Sequence, residues 1–279
     1  MIIGFKSQLQ PEYLADLAHN YRQEYAQAQP FPHVVIDNFL PAAILEQVLT
    51  EFPDPQKIAW KKFDNSAEKK LASTSELQMG ESTRLLLQQL NSATFINFLE
   101  QLTGIDGIIP DPYFEGGGLH QIEPGGYLKI HVDFNRHRKM RLDRRLNMLI
   151  YLNQDWQEEY GGHFEMWDTE MTQCQKKILP LFNRCVIFNT TDFSYHGNPE
   201  PLNCPEDRTR KSLALYYYSN GRPASEIGTA HSTVFKSRPQ DSPLSVPKTP
   251  VLSKPKTFLK KLLPPILIDL KNSFDQKKN

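Results

Sequence analysis

From residue 113 to residue 220 the chain reads as short apolar runs broken by turn residues, with almost no helical spacing. Nothing else in the 279 residues constrains the fold as strongly. A series of short strands must bury its apolar faces against another layer, and frequent turns let the chain fold back to do so, which points to two sheets packed face to face. Gly125-Gly126 form a turn that leads into Tyr127-Leu128-Lys129-Ile130, and Cys185-Val186-Ile187-Phe188 is an apolar run of strand length. Between Arg210 and Tyr218 the period is two, so Arg210, Ser212, Ala214 and Tyr216 share a face. The first third of the chain differs. Residues 11–28 predict a polar amphipathic helix, 32–37 a strand, and 41–52 a helix opened by a proline. Leu85, Leu86, Leu90, Phe95, Phe98 and Leu99 fall near helical spacing, which makes 82–103 one or two helices supporting the sheet. Residues 53–80 read as charged and irregular. The expected class is α+β.

His131-Val132-Asp133 lies inside the strand-rich region. Residues two apart on a strand point the same way, so His131 and Asp133 project together. One strand end cannot wrap a metal, so a third donor must come from elsewhere, and His196 qualifies, 65 residues on, between two predicted strands and before Gly197. Two imidazoles and one carboxylate suit mononuclear ferrous iron with coordination positions left open. Arg210, fourteen residues beyond His196, can hold the far end of an acidic co-substrate, because a guanidinium meets a carboxylate with two parallel hydrogen bonds. Oxygen activation fits this set better than zinc hydrolysis, for which H-E-x-x-H is missing.

These residues are similar to those of a known family. Gly126 to Asp133, Asn147-Met148-Leu149-Ile150-Tyr151-Leu152-Asn153, Trp156, Gly161-Gly162-His163-Phe164, Val186-Ile187-Phe188, His196 and Arg210-Lys211-Ser212 resemble the prolyl-4-hydroxylase-like branch of the Fe(II)/2-oxoglutarate-dependent dioxygenases. Pro32 to Leu40 resembles that family's first strand, and the similarity spans roughly residues 30–222. The resemblance implies a double-stranded β-helix, a distorted jelly roll with the metal at its open end. It implies that His131, Asp133 and His196 bind Fe(II), that Arg210 pairs with the distal carboxylate of 2-oxoglutarate, and that Tyr151 supports the same carboxylate. Dioxygen is then the second co-substrate, succinate and carbon dioxide leave, ascorbate can serve as reductant, and an unactivated C–H bond is hydroxylated. The substrate expected on this reading is a small molecule or glycan precursor. The alternatives are a prolyl or other side chain of a protein, or a non-catalytic metal-binding or sensing module on the same fold. The loop between His196 and Arg210 is longer than is common in the family, which makes Arg208 and Lys211 rivals for the anchor. Gln121 stands where many members place a tyrosine.

Arg136-His137-Arg138-Lys139-Met140-Arg141-Leu142-Asp143-Arg144-Arg145 is densely basic. Past the H-x-D strand it reads either as an electropositive rim that concentrates anionic substrates or as a solvated loop balanced by acids such as Glu158 and Glu159. His120 can face the cavity, while His137 and His163 are weaker metal candidates. Trp156 and Trp167 read as core or rim residues. Formal net charge is zero, so no global field favours nucleic acid. Three cysteines without C-x-x-C point away from a disulfide framework and toward the reducing cytoplasm. Met1 to Lys6 does not read as a signal peptide, and no run of about 18 apolar residues suggests a membrane span. The expected organisation is an oxygenase domain over 1–230, with helical support to about 110 and a jelly-roll core over 111–222. A Pro/Ser/Lys-rich linker over 231–256 and a basic amphipathic tail over 257–279 follow. Residues 250–279 hold seven lysines against two aspartates, so the tail can dock on its own domain or a partner, stay disordered, or touch an anionic membrane surface.

Overall fold

A computed structural model describes residues 9–241. Four α-helices precede most of the strands: α1 (Pro11–Gln27), α2 (Ala42–Glu51), α3 (Glu81–Leu90) and α4 (Ala93–Thr103). Pro11 opens α1, where its missing N–H costs nothing. The Ser92 hydroxyl accepts from Phe95 N to start α4, and Gly104 ends it in a left-handed conformation with its N–H donating to Glu100 O. Leu86, Leu87 and Leu90 of α3 and Phe95, Phe98, Leu99 and Leu102 of α4 are buried.

The strands are β1 (His33–Ile36), β2 (Lys61–Asp64), β3 (Glu68–Ser73), β4 (Ile109–Pro110), β5 (Gly118–Ile122), β6 (Tyr127–Val132), β7 (Asp143–Tyr151), β8 (Phe164–Trp167), β9 (Cys174–Ile178), β10 (Cys185–Asn189), β11 (His196–Asn198), β12 (Arg210–Ser219) and β13 (Val234–Phe235). They pair in the order β1-β10-β7-β12-β5-β3-β6-β11-β8-β9, with β2 and β13 added to β3 and β6 and β4 to β12. The sheet curls on itself as an α+β double-stranded β-helix, a distorted jelly roll. On the outer face, Leu146, Met148 and Ile150 of β7 and Leu213, Leu215 and Tyr217 of β12 join the helices in the main apolar cluster. Each such side chain contributes roughly 1.5–3 kcal/mol when fully buried. The alternate residues line the interior, where Tyr151, Phe164, Met166, Val186 and Phe188 form a second cluster.

Three segments depart from the sequence expectation. The stretch 53–80 contains a hairpin, β2–β3. Asn65 closes its turn by accepting from Ala67 N and Glu68 N, and β3 bridges the two halves of the sheet by pairing with β5 through Leu71–Ser73 and with β6 through Glu68–Lys69. The expected linker does not begin at 231. There the chain runs along β6, with Val234 opposite Val132, Phe235 opposite His131, and Lys236 N donating to Ile130 O. Buried Arg238 ties that strap to Asp241 and Glu200. The rest of the linker, the tail and the first eight residues lie outside the described residues. The basic run is not a row of free charges either. His137, Arg144 and Arg145 are buried. Arg138 pairs with Glu115, and His137 sits against both Asp111 and Glu115.

Candidate metal centre

β6 carries His131 to the open end of the roll, and Asp133 follows it directly where the strand ends. β11 returns antiparallel, so that His196 lies opposite His131 in the ladder. This register brings together side chains far apart in sequence. One donor atom from each of His131, Asp133 and His196 lies within 4.8 Å of the others. His131 Nε2 stands 3.6 Å from Asp133 Oδ1, and His196 Nε2 stands 3.3 Å from Asp133 Oδ2. His131 and His196 are buried, and their ring centroids are 4.5 Å apart.

The backbone sets the tautomer of both rings. His131 Nδ1 donates to Lys129 O at 2.9 Å, and His196 Nδ1 donates to Ser194 O at 2.8 Å. A ring nitrogen against a carbonyl must carry the proton, which leaves each Nε2 lone pair directed at the cluster. Burial, then the neighbouring His196, lowers the His131 pKa, so the ring is neutral. Burial alone would raise the Asp133 pKa. The Arg144 guanidinium and His196 overcome it and hold the carboxyl well below its usual range. The His131 imidazole and the Asp133 carboxylate are therefore in the protonation states that a divalent cation requires. The donor chemistry fits ferrous iron.

Arg210 enters the same interior from the start of β12 and is buried. Its Nε donates to Gly162 O at 2.8 Å, and its Nη2 donates to Tyr151 Oη at 3.3 Å. Burial lowers the Arg210 pKa and raises that of Tyr151, which leaves the phenol protonated. Gly162 has φ +73° and passes so close that a Cβ there would meet Leu202 Cδ2 at 2.6 Å and Arg210 Cδ at 3.0 Å. Only glycine lets this turn press against the guanidinium. The rivals point elsewhere: Arg208 donates to Gln154 O, and Lys211 donates to Thr209 Oγ1 on the opposite face.

His120 faces the interior. Its Nε2 lies 3.0 Å from Gly116 O, and burial, then Lys70 and Arg210, bring its pKa down to about 3. Gln121, the next residue, faces outward, where it donates to Thr209 Oγ1 beside a cavity of about 380 Å³ shared with Asp54, Lys69 and Lys211. His163 pairs with Glu158, away from the cluster. Trp156 and Trp167 are buried, with their indole N–H groups on Gly161 O and Glu165 Oε2.

Two residues at the centre were not singled out from sequence. Asn147 Nδ2 donates to Asp133 Oδ2 at 2.7 Å, and Arg144 Nη2 stands 3.1 Å from the same oxygen. Arg144 and Asn147 are three apart, so a regular strand would put them on opposite faces. The ladder slips between Tyr217 and Tyr218, so that Tyr217 faces Leu146 while Tyr218 faces Arg144. The bulge turns Arg144 inward, a signal absent from residue types alone.

Residues 117–218 match the family model described as the 2OG-Fe(II) oxygenase superfamily. Prolyl 3-hydroxylase OGFOD1 of Mus musculus is 29% identical over 79 residues, which cover 27% of this chain and 14% of that protein. The match thus spans about a seventh of the curated relative's length. A Pseudomonas putida prolyl-4-hydroxylase superposes on 75% of this chain and 100% of its own with a TM-score of 0.52 and 16% identity. A prolyl hydroxylase from Trichoplax adhaerens, solved with a hypoxia inducible factor peptide fragment, covers 75% of this chain and 91% of its own at a TM-score of 0.52 and 17% identity. At such identities these two structures speak for the fold.

Proposed function

We propose that this chain, which over residues 117–218 belongs to the 2OG-Fe(II) oxygenase superfamily, hydroxylates an unactivated C–H bond of a prolyl side chain in a peptide or protein. The superfamily works with ferrous iron, 2-oxoglutarate and dioxygen. The observation that carries the reading is the meeting of His131, Asp133 and His196 within 4.8 Å, on the interior that also holds buried Arg210. The prolyl substrate is preferred to a small molecule or glycan precursor because the curated relative and both structural relatives are named as prolyl hydroxylases.

His131 Nε2, His196 Nε2 and one oxygen of Asp133 would hold the metal. Bound iron supplies dioxygen activation coupled to oxidative decarboxylation of 2-oxoglutarate to succinate and carbon dioxide. The chain's own residues bind, orient and exclude. Arg210 and Tyr151 present N–H and O–H donors to the distal carboxylate of the co-substrate. Phe164 and Phe188 pack on the His196 ring, with centroids at 5.4 and 4.7 Å, and keep that side dry.

The test is succinate release by protein supplied with Fe(II), 2-oxoglutarate and ascorbate, against proline-containing peptides, free L-proline and nucleotide sugars. Succinate above the substrate-free background, with one oxygen atom gained by a prolyl residue, is the expected result. Turnover with a sugar or free amino acid and none with any peptide would remove the prolyl assignment while leaving the oxygenase assignment intact.

A further inference from the structure

Arg144 is 1% exposed, with its guanidinium carbon 3.5 Å from the Tyr216 ring centroid and 4.5 Å from that of Phe134. Its Nε donates to Asn147 Oδ1 at 2.8 Å. Its Nη1 and Nη2 make no hydrogen bond among the described residues, although Nη2 stands 3.1 Å from Asp133 Oδ2. The anion that faces this buried cation is therefore Asp133, the single carboxylate of the triad. Asp133 Oδ2 also accepts from Asn147 Nδ2. Oδ1 receives neither group and faces His131 Nε2 at 3.6 Å, which leaves it free to ligate.

We propose that Arg144 is a positioning residue that confines Asp133 to one-oxygen ligation and weakens the site's hold on metal in favour of the 2-oxo acid. This rests on the reading of His131, Asp133 and His196 as metal ligands. Two consequences follow from charge and geometry. Arg144 neutralises the carboxylate before the metal arrives and repels the incoming dication, so metal affinity is lowered. Once metal is bound, the same cation leaves the centre more positive toward a dianionic co-substrate. With Oδ2 engaged by the Asn147 hydrogen bond and the Arg144 ion pair, Oδ1 would be the oxygen offered to the metal, which leaves open a position that a chelating 2-oxo acid needs.

The experiment measures two affinities in wild type, R144M, R144Q and R144K: Co(II) by absorbance titration of the metal-free protein, and 2-oxoglutarate by calorimetry on the Co(II)-loaded protein. R144M keeps an apolar chain of similar length between the two rings. R144Q keeps an amide N–H near Asp133 and answers the same question if R144M does not fold. R144K keeps the charge. The expected result is Co(II) bound at least about tenfold more tightly by the neutral variants and 2-oxoglutarate at least about tenfold more weakly, with R144K within about threefold of wild type in both. Loss of packing alone would not move the two affinities in opposite directions. Neutral variants that match wild type, or that weaken both affinities together while folded by near-ultraviolet circular dichroism, would overturn the proposal. If both neutral variants fail to fold, R144K decides: wild-type affinities uphold the role of charge, and a loss of both overturns it. Failure of wild type to bind Co(II) would strike the metal-site reading itself.

Discussion

Replacing Arg210 with methionine should cost the protein its co-substrate and leave its metal. Arg210 Nε is committed to Gly162 O at 2.8 Å, so the Nη edge of the guanidinium is what remains for a carboxylate. Two charge-assisted hydrogen bonds in a buried site contribute about 1.5–3 kcal/mol each, or about 3–6 kcal/mol together. At about 1.4 kcal/mol per tenfold, the dissociation constant for 2-oxoglutarate should rise about 10²- to 10⁴-fold. Methionine retains a flexible apolar chain against Leu202 and the Gly162 turn, so the fold should survive. Tyr151→Phe removes one neutral hydroxyl and should weaken binding only about fivefold. Because Tyr151 Oη lies 3.3 Å from Arg210 Nη2, the double variant should lose less than the sum of the two. Calorimetric titration of 2-oxoglutarate into Mn(II)-loaded protein reads these values, with Mn(II) affinity as the control. An R210M variant that binds 2-oxoglutarate within threefold of wild type would refute the assignment of Arg210 as the anchor.

Other perturbations test neighbouring parts of the account. Gly162→Ala places a methyl 2.6 Å from Leu202 Cδ2 at φ +73°, so it should lower stability by about 1–3 kcal/mol and weaken 2-oxoglutarate binding more than metal binding, as chemical unfolding and the same calorimetry would show. Arg238→Ala removes the cation that ties Asp241 to Glu200 and unpins the strap, so trypsin should cut after Lys236 at concentrations that spare wild type. His120 has a folded pKa of about 3, below its unfolded value near 6.5, so the unfolded chain binds the extra proton between those pH values. Stability should therefore fall as pH drops from about 6.5 toward 3, by up to ~1.4 kcal/mol per unit from this group, and His120→Gln should flatten that slope in urea titrations. An unchanged slope would place His120 outside the buried site.

The sequence carries the triad well because its geometry is regular. His131 and Asp133 are two apart at the end of a strand, and His196 lies on the strand beside it, so period two and chain order suffice. The inward set Arg210, Ser212, Ala214 and Tyr216 follows from the same alternation. What stayed hidden depends on tertiary pairing. β2 and β3 are so rich in lysine that no apolar alternation marks them, and β3 becomes a strand because β5 and β6 offer it free edges. Arg144 reaches Asp133 only because a bulge reverses its face. Counting back from His131 selects Gln121, yet its side chain points outward and its neighbour His120 takes the interior. The Ser- and Pro-rich composition after 231 conceals a strap whose pairing is made by backbone groups, which have no signature in residue type.

The central claim is that two imidazoles and one carboxylate hold ferrous iron with positions left for a 2-oxo acid. Anaerobic protein loaded with Fe(II) and 2-oxoglutarate, both quantified, should show a weak metal-to-ligand charge-transfer band in visible absorbance. The band should vanish in His131→Ala and persist in the fully folded Trp167→Phe control. Wild-type protein that carries both iron and 2-oxoglutarate without the band would contradict the account.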